Sequence, residues 1–514
     1  MQIPIEILNI LKKLSQANFE AYIIGGCVRD LLMKNPPAGR PKDWDVATNA
    51  LPEQILAAFP QSLYENNFGT IAVKTESEDP TLKIVEITTF RKEGKYTDKR
   101  HPDKIQFAKT IDEDLCRRDF TINAMALHLE TQNLKHKAQE KNYKLQVTSY
   151  KIVDPFGGQE DLKNKIIRAV GDPAERFQED GLRLMRAIRL ACELSVNWRI
   201  EQNTLKAIKD NAALLSFISK ERVRDELIKI INSSQAAKGI LLLQETNLLK
   251  EVIPELRDTI GVTQNKHHIY TVWEHLWRSL DYAAKKNFSL EVKLASLFHD
   301  IGKPQVKQGE GKDATFYDHE WQGAKIAAKV FSRLKFPKII SEKVIRLIRY
   351  HQFVYDPEIT TDAAIRRLLV KVGKENIQEL AQVREADRIG SGCPKALPFR
   401  LRHFLFRVEK VLQELEGRQP SLKILKINGD DLIKKLSLQP GPKIGAILSI
   451  LLEEVLDNPK KNNKKDLEKI ASELVKLSEK ELLKKRKMAE DKYKNILEKE
   501  EVKIKKKYYV NNGA

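Results

Sequence analysis

The sequence predicts an α+β head followed by an all-helical body. Residues 1 to about 170 mix strand-like runs with helical patterns, whereas helical periodicity dominates after about Gly171. A turn cluster at Asp154–Gly158 closes the mixed region. The 514 residues exceed what one core can hold and predict about three to four domains.

We divide the chain into five parts by their strand-like or helical sequence patterns and by their charge. They are a head over residues 1–170, a helical neck over 171–260, a helical domain over 261–400, a helical tail over 401–459 and a Lys-rich extension over 460–514. The extension has 18 Lys and Arg against 10 Asp and Glu, a net charge of +8. It predicts a solvated charged helix or partly disordered tail, and an RNA-contacting arm is the alternative function.

The head opens on an amphipathic helix at about Ile5–Ala17. The segment "FEAYIIGGCVRDLL" then predicts a strand, a tight glycine turn and a helix. Further strands are predicted at residues 44–49, 69–75, 83–90, 122–130 and 145–154, with a polar hairpin extension at 131–144.

Charge and composition favour a nucleic-acid partner. The net charge is +19 and the pI is near 9.4, which suits a polyanion. No apolar run reaches the roughly 20 residues of a membrane-spanning helix, and the N-terminal pattern carries Glu6 and a Lys pair, unlike a signal peptide. The missing apolar run therefore predicts no membrane partner. The cysteines follow no CxxC spacing, which argues against a disulfide framework and predicts a cytoplasmic protein; they are Cys27, Cys116, Cys192 and Cys393.

The stretch "KDWDVATNA" places two carboxylates one residue apart. At the start of a strand, Asp43 and Asp45 point to one face and Trp44 to the other. Two carboxylates can converge on Mg²⁺, which usually shares its ligand shell with substrate phosphates. Two such ions can activate an attacking hydroxyl and stabilise leaving pyrophosphate. Taken alone, the pair is far more typical of a surface turn than of a catalytic site.

Neighbouring motifs strengthen the catalytic interpretation. Gly25 and Gly26 follow an apolar strand and let backbone N–H groups approach a triphosphate, and Arg29 adds a cation. Glu86 lies between two apolar residues and would be a third catalytic carboxylate at the metals; an edge-strand glutamate is the alternative.

A second polar group follows in "DLCRRDFTINAMA". Arg117 and Arg118 present guanidinium groups that match phosphate geometry. Asp119 and Asn123 lie four residues apart, the spacing of one helical face. They would bind a ribose hydroxyl, or cap and pair locally.

Asp180 and Arg183 offer a way to choose a base. On a helix their spacing places them on one face, with Arg186 one turn further as another nucleotide-binding residue. A carboxylate accepts and a guanidinium donates, which matches the amine and ring nitrogen of both cytosine and adenine. Uracil and guanine present the reverse polarity, and such mismatches can give discrimination of about 10⁴. A local helix salt bridge is the alternative.

Five motifs together resemble the class II tRNA nucleotidyltransferases, the CCA-adding enzymes, whose family includes bacterial poly(A) polymerases. They are "GGCVRDLL", "DWDVATNA", "RRDFTINAMA", "EDGLRLMRAIRLA" and "ERVRDEL", in the family's order between Tyr22 and Asn232. The resemblance implies a polymerase-β-like nucleotidyltransferase head, with two Mg²⁺ ions on Asp43 and Asp45. It also implies tRNA, CTP and ATP as partners.

The resemblance gives roles to three further features. It assigns base recognition to Asp180 and Arg183, and it implies that Glu221 and Arg222 support the nucleotide pocket. The polar segment Arg91–Phe107 resembles the family's mobile loop at full length. This length favours addition of CCA, leaves addition of A alone open and disfavours addition of CC alone.

Histidines and aspartates of the third part form a second constellation. Imidazole and carboxylate groups from separate helices can bind one or two transition-metal or Mg²⁺ ions and activate water against a phosphoester. The predicted ligands are His275, His299, Asp300, His319, His351 and Asp387. The doublet in "LFHDIGKP" resembles the HD phosphohydrolase superfamily, which implies an HD domain acting on 2′,3′-cyclic phosphates or phosphomonoesters, or a domain that only supports tRNA.

The leading hypothesis is template-independent CCA addition to tRNA. An A-adding enzyme or poly(A) polymerase shares every head motif. A phosphohydrolase with a vestigial head, or a non-catalytic RNA-binding protein, is disfavoured because the head carboxylates are intact.

Overall fold

The computed structural model describes most of the chain. The described residues are 1–33, 36, 41, 43–66, 69–94, 105–129, 144–146, 149–265, 269–392, 398–416 and 422–510. Contacts divide the chain into two compact units, one of residues 1–351 with 382–394 and one of residues 352–381 with 395–514. The finer five-part division stays a prediction.

The strands of the described residues lie mainly in the head. They are β1 (Gln2–Pro4), β2 (Ala21–Ile24), β3 (Asp45–Thr48), β4 (Ser62–Asn66), β5 (Thr70–Lys74), β6 (Ile84–Thr89), β7 (Arg91–Glu93), β8 (Ile105–Phe107), β9 (Ala126–Leu129), β10 (Lys144–Gln146), β11 (Tyr150–Val153), β12 (Ile166–Ile167) and β13 (Arg199–Ile200). Seven form one sheet in the order β11-β9-β2-β3-β6-β5-β4. Within it β3 and β6 pair in parallel, and the other neighbours pair antiparallel.

Helices cover the head sheet and build the rest of the chain. In the head and neck they are α1 (Ile5–Gln16), α2 (Gly26–Leu32), α3 (Pro52–Ala58), α4 (Ile111–Leu115), α5 (Gly158–Asn164), α6 (Pro173–Glu179), α7 (Leu182–Glu193), α8 (Gln202–Asp210), α9 (Lys220–Asn232), α10 (Ala236–Glu245), α11 (Leu248–Val252) and α12 (Pro254–Arg257). They continue as α13 (Val272–Lys285), α14 (Leu290–Phe298), α15 (Lys303–Val306), α16 (His319–Arg333), α17 (Lys338–Tyr350), α18 (Asp362–Val372), α19 (Ile377–Gly390), α20 (Phe399–Leu415), α21 (Gly429–Leu436), α22 (Pro442–Asp457), α23 (Lys464–Val475) and α24 (Glu479–Lys507).

The apolar faces of α1 and the sheet form the head core. Ile7, Leu11 and Leu14 recur at helical spacing and are buried, as are Ile23 and Val46 on the sheet. Burial of this stripe explains why the amphipathic segment folds as a helix, and it confirms the first predicted helix.

The strands predicted at 44–49, 69–75 and 83–90 are present as β3, β5 and β6. The strand predicted at 122–130 is limited to β9, and the one predicted at 145–154 is divided into β10 and β11, which pair with β1 and β9. The ends of the predicted mobile loop pair as the hairpin β7–β8, because Arg91 and Phe107 are register partners; residues 95–104 of that loop lie outside the described residues. Strand β4 was missed because "SLYEN" exposes Leu63 and Tyr64 and lacks the alternation of a half-buried strand. The predicted hairpin extension at 131–144 also lies almost wholly outside the described residues.

The C-terminal extension is helical over α23 and α24. Leu482, Ala489 and Ile504 are buried, so apolar contacts are spaced along most of α24. Among the described residues, no helix is long and apolar enough to cross a membrane.

Candidate active site

Gly25 lies at the centre of the head's polar cluster. Its φ of +77° is in the left-handed region that favours glycine. A Cβ at this position would lie 3.0 Å from Arg118 Nη1 and 3.2 Å from Asp45 Oδ2. The turn between β2 and α2 therefore depends on glycine both for its backbone conformation and for the approach of these two side chains.

The three predicted catalytic carboxylates lie on adjacent segments. Asp45 opens β3 and is the register partner of Glu86 on the parallel strand β6. Asp43 precedes the strand in an exposed bend, so the prediction that both aspartates belong to the strand is wrong by two residues. Trp44 is buried in the head core, as the alternation predicts.

Glu86 is exposed on an interior strand. The alternative of an edge-strand glutamate is wrong, because β6 lies between β3 and β5. An interior strand has both backbone edges paired, so the exposure of Glu86 reflects the open face of the sheet.

The carboxylates show the charge imbalance that a cation relieves. Burial, and after it the neighbouring Asp43 carboxylate, raises the pKa of Asp45, whereas Arg118 lowers it. Oxygen ligands of this kind suit Mg²⁺, so the residues fit the group that the fold implies. Asp43 and Asp45, with Glu86 beside them, are the residues that would hold it.

Asp114 organises the two arginines of the second motif, a role that the sequence prediction missed. It is fully buried and accepts from Arg117 Nε at 2.9 Å and from the Arg91 N–H at 3.2 Å. Arg118 Nη2 lies 3.6 Å from its other oxygen. Burial raises the pKa of Asp114, but Arg117 and Arg118 lower it further, so that it lies below its ordinary value. The signal was an acid three and four residues before the arginines.

Arg29 is fixed between two partners beside the glycine turn. Its Nη1 donates to Asn123 Oδ1 at 2.9 Å and its Nε donates to Asp30 at 2.8 Å. A Cβ at Gly26 would lie 3.5 Å from Arg29 Nη2, an ordinary contact.

Asp119 and Asn123 do not share a helical face. Asn123 ends a short 3₁₀ turn over Thr121–Asn123, and Asp119 precedes it. Asp119 accepts from Arg186 Nε at 2.6 Å and from the Phe120 N–H at 2.9 Å. The helical interpretation was wrong because the buried Asp119 carboxylate pairs with α7.

Asp180 and Arg183 are close in sequence but have separate partners. Asp180 has extended backbone between α6 and α7, so the prediction that both lie on one helix is wrong. Its Oδ1 accepts the Leu182 N–H at 2.9 Å, the arrangement that makes aspartate a good helix cap. Its Oδ2 accepts from Arg222 Nη2 at 2.8 Å.

Arg183 joins the neck to the arginine motif. Its Nη1 pairs with Glu179 and donates to the Arg176 carbonyl, and its Nη2 donates to the Arg117 carbonyl at 3.2 Å. Glu221 lies in the first turn of α9, one residue before Arg222. Arg183 therefore ties the neck to the arginine motif, whereas Asp180 and Arg222 form a separate pair.

The six predicted HD ligands converge in one buried cluster. His275 Nε2 lies 2.8 Å from His299 Nε2, 3.2 Å from Asp300 Oδ2 and 3.4 Å from Asp387 Oδ1. On the other side, His319 Nε2 and His351 Nε2 lie 3.2 Å and 3.6 Å from Asp300 Oδ1. Asp300 thus presents one oxygen to each histidine pair.

The second ring nitrogens fix these histidines. Nδ1 of His299, His319 and His351 lies within 3.0 Å of a carbonyl oxygen, those of Ser296, Phe316 and Ile348 respectively. When Nδ1–H donates to a carbonyl, the Nε2 lone pair faces the cluster. This is the usual arrangement of a histidine that binds a metal.

Charges in the cluster match a cation site. Burial raises the pKa of Asp300, but Lys303 and His299 outweigh this effect and hold the pKa well below its ordinary value. Burial lowers the pKa of His351 to about 4, so this imidazole is neutral at pH 7. Against burial, Asp300 and Asp387 raise the pKa of His275 to about 9. This donor set suits a transition metal or Mg²⁺.

Lys303 is a buried neighbour that the sequence prediction left out. Its Nζ lies 2.6 Å from Asp300 Oδ2 and donates to Gln264 Oε1 at 2.6 Å. The "GKP" that follows the His–Asp doublet was its only signal. Gly302 beside it allows close packing, since a Cβ there would lie 2.3 Å from the His319 carbonyl oxygen.

Three family models match the chain. A model described as Poly A polymerase head domain matches residues 21–168. One described as probable RNA and SrmB-binding site of polymerase A matches residues 197–260. The HD domain model matches residues 272–391.

Curated relatives are named CCA-adding enzymes. The one from Lactobacillus helveticus is 42% identical over 249 residues, 48% of this chain and 55% of the relative. The chain spans about half the length of the Lactobacillus and Geobacillus relatives it matches. The one from Lactococcus lactis subsp. cremoris is 30% identical over 460 residues, 88% of this chain and 92% of the relative.

Solved structures of similar fold include the Bacillus stearothermophilus CCA-adding enzyme in complex with CTP. It is 27% identical with a TM-score of 0.54, covering 91% of this chain and 96% of that one. A tRNA-processing enzyme in apo form I has a TM-score of 0.50 at 19% identity, covering 85% of this chain and 97% of that one, a likeness of fold alone.

Proposed function

Because the chain belongs to the class II tRNA nucleotidyltransferase family of CCA-adding enzymes and bacterial poly(A) polymerases, here with an HD domain, we propose that it adds CCA to the 3′ end of tRNA from CTP and ATP. The observation that carries the proposal is the convergence of Asp45 and Arg118 at Gly25. It sets a metal-binding carboxylate beside a phosphate-binding cation, the pair that nucleotidyl transfer requires.

In the proposed reaction, some head residues hold the metal ions and others bind the triphosphate. Asp43 and Asp45 would hold two Mg²⁺ ions beside Glu86, and bound ions would acidify the attacking hydroxyl and neutralise phosphate charge. The backbone of the Gly25–Gly26 turn, Arg118 and Arg29 bind the triphosphate. The tRNA 3′-hydroxyl forms the new bond to the α-phosphorus, the α–β phosphoanhydride bond breaks, and pyrophosphate leaves.

The neck residues select the incoming base. Asp180 accepts from the exocyclic amine of cytosine or adenine, and Arg183 donates to the adjacent ring nitrogen. Arg222 orients the first side chain, while Glu179 orients the second. Since both are restrained before a base arrives, the unpaired polar atoms left by uracil or guanine would be costly.

The net charge of +19 supports a tRNA partner. Structured RNA is recognised largely through its shape and backbone, to which lysines and arginines contribute attraction without a sequence code. The Lys-rich extension adds to this field, and an RNA-contacting role for it remains part of the proposal.

A three-substrate assay separates CCA addition from its closest alternatives. tRNAs ending at the discriminator base, at –C and at –CC are each incubated with CTP, with ATP and with both. The proposal expects completion of CCA on all three. Addition of A to the –CC substrate alone would identify an A-adding enzyme, and long A tails would identify a poly(A) polymerase.

The buried histidine cluster supports a second activity, metal-dependent phosphoester hydrolysis. In our proposal the two halves of the cluster share Asp300 and hold one or two divalent ions, which would activate water. Hydrolysis of 2′,3′-cyclic phosphates or phosphomonoesters by the purified chain tests this directly. Loss of hydrolysis in Asp300→Ala with unchanged CCA addition is expected; equal hydrolysis would reject the site.

A further inference from the structure

An exposed tryptophan stacks with an arginine beside the histidine cluster. Trp321 is 50% exposed on α16, and Arg349 Cζ on α17 lies 3.8 Å from the centre of its ring. We refer to Trp321 and Arg349 as the stacking pair. Arg349 covers part of the indole, and the half of the side chain that remains exposed is the surface on which a planar ligand could stack.

The stacking pair is connected to the proposed metal ligands. Arg349 Nη1 lies 3.3 Å from Glu320 Oε1, and the other oxygen of Glu320 lies 3.6 Å from His319 Nδ1. His351 follows Arg349 by two residues at the end of α17. The ends of α16 and α17 thus carry both ligands of the second half of the cluster and the stacking pair.

The chemistry of the stacking pair fits a nucleobase. The guanidinium over the indole restrains the plane of the ring, so a flat aromatic surface is ordered in advance. Every base has a π-face that stacks on such a surface without regard to sequence. The Arg349 guanidinium lies against the indole and pairs with Glu320, so the charge of this arginine stays at the edge of the aromatic surface.

We propose that Trp321 and Arg349 form a base-stacking subsite, and that the HD cluster acts on nucleoside phosphoesters held by their base. The ligand chemistry is a nucleobase joined through ribose to the reacting phosphate, supplied by a free nucleotide or by the 3′ end of an RNA. This inference rests on the proposed hydrolase activity, to which it adds the residues that hold the base.

Matched substrates test the subsite. The full-length chain hydrolyses adenosine 2′,3′-cyclic phosphate, a short RNA ending in the same group, and glycerol 1,2-cyclic phosphate, which has no base. Trp321→Ala should raise KM for the adenosine substrate roughly 5- to 100-fold, the range of one lost base stack. It should leave kcat/KM for the glycerol substrate unchanged, and Trp321→Phe should restore most of the loss.

A parallel change for the RNA identifies 3′ ends as ligands too; a change confined to the mononucleotide restricts the subsite to free nucleotides.

The control is Ile339→Ala, which removes an apolar side chain that is 82% exposed on α17. It should change neither KM. Metal content measured on every variant shows that the cluster is intact. Equal KM values for wild type and Trp321→Ala on the adenosine substrate, or equal losses on both substrates, would overturn the subsite.

A binding measurement keeps the two proposals separate. If the wild-type chain hydrolyses none of the substrates, the hydrolase proposal fails. The dissociation constant for adenosine 2′,3′-cyclic phosphate, measured by calorimetry with the head carrying Asp45→Asn, then decides the subsite alone. Binding that Trp321→Ala weakens supports the subsite, and binding that is absent or unaffected overturns it.

Discussion

At the scale of single residues, Gly25 links the chemistry of the head to its backbone. The sequence predicts this glycine as part of a triphosphate turn, but the reason for glycine comes from the structure. Its φ is left-handed, and two polar atoms lie within 3.2 Å of the position that a Cβ would take, so a side chain there would push Asp45 and Arg118 from their positions.

Gly25→Ala should lower nucleotide addition by at least ~100-fold, because it displaces Asp45 and Arg118. The left-handed alanine should also cost about 1–2 kcal/mol of unfolding free energy. Single-turnover incorporation and urea unfolding measure the two effects. Gly157→Ala is the matched control, with φ +72° and no atom within 4 Å of the added Cβ; it should lose similar stability and keep activity. Equal activities would remove Gly25 from the site.

Asp119 gives a pH dependence of stability. Against burial, Arg186 and Arg183 hold its pKa below the ordinary value in the folded chain. Its contribution is therefore present above the unfolded pKa of about 3.9 and is lost as pH falls through the folded pKa. Asp119→Asn should lower the free energy of unfolding by about 3 kcal/mol at pH 7, since Arg186 loses the carboxylate to which it donates at 2.6 Å.

The difference between wild type and Asp119→Asn should stay constant from pH 7 to about pH 5.5 and shrink below about pH 4. Urea titrations at several pH values measure it. A difference that grows as pH falls would contradict the ion pair.

At the scale of elements, the pairing of β3 with β6 brings together two carboxylates that are far apart in the sequence. Asp45 and Glu86 are 41 positions apart, and strand periodicity alone cannot say which strands are neighbours. Alternation did predict that Trp44 is buried, because that property depends on one strand only. The helical interpretations of Asp119–Asn123 and Asp180–Arg183 failed for the same physical reason: capping and ion pairs with distant helices overrode local spacing.

Helix α9 should control base choice through Arg222. Arg222→Ala frees the Asp180 carboxylate, and loss of a charged hydrogen bond should reduce the preference for C and A over U and G by about 10- to 100-fold. Competition assays with the four nucleoside triphosphates measure the preference. Arg224→Ala is the control on the same helix, since Arg224 pairs with its neighbour Asp225. Unchanged selectivity in Arg222→Ala would show that Asp180 is not held for base recognition.

At the scale of the whole molecule, both candidate sites lie in the first compact unit. The sequence predicted all six members of the histidine cluster across 113 positions, because the His–Asp doublet resembles the HD superfamily and the other four residues are metal-ligand types on separate predicted helices. It missed Lys303, because the "GKP" after the doublet does not by itself show that the Lys303 ammonium is buried against Asp300.

The two sites should be separable by mutation. Asp300→Ala removes the residue shared by both halves of the cluster and should lower metal affinity of the HD site at least ~100-fold. Elemental analysis after dialysis measures the bound metal, and nucleotide addition should stay within twofold of wild type. Retention of the metal by Asp300→Ala would contradict the assigned ligands.

The most direct test concerns Asp45 in the head. Wild type and Asp45→Asn, which preserves the size of the side chain, are compared in single-turnover addition of CTP and ATP to tRNA ending at the discriminator base. We expect wild type to complete CCA and the variant to be slower by at least ~1,000-fold, because the head loses a metal-binding charge. Addition by Asp45→Asn at the wild-type rate would contradict the assignment of the head as a metal-dependent nucleotidyltransferase site.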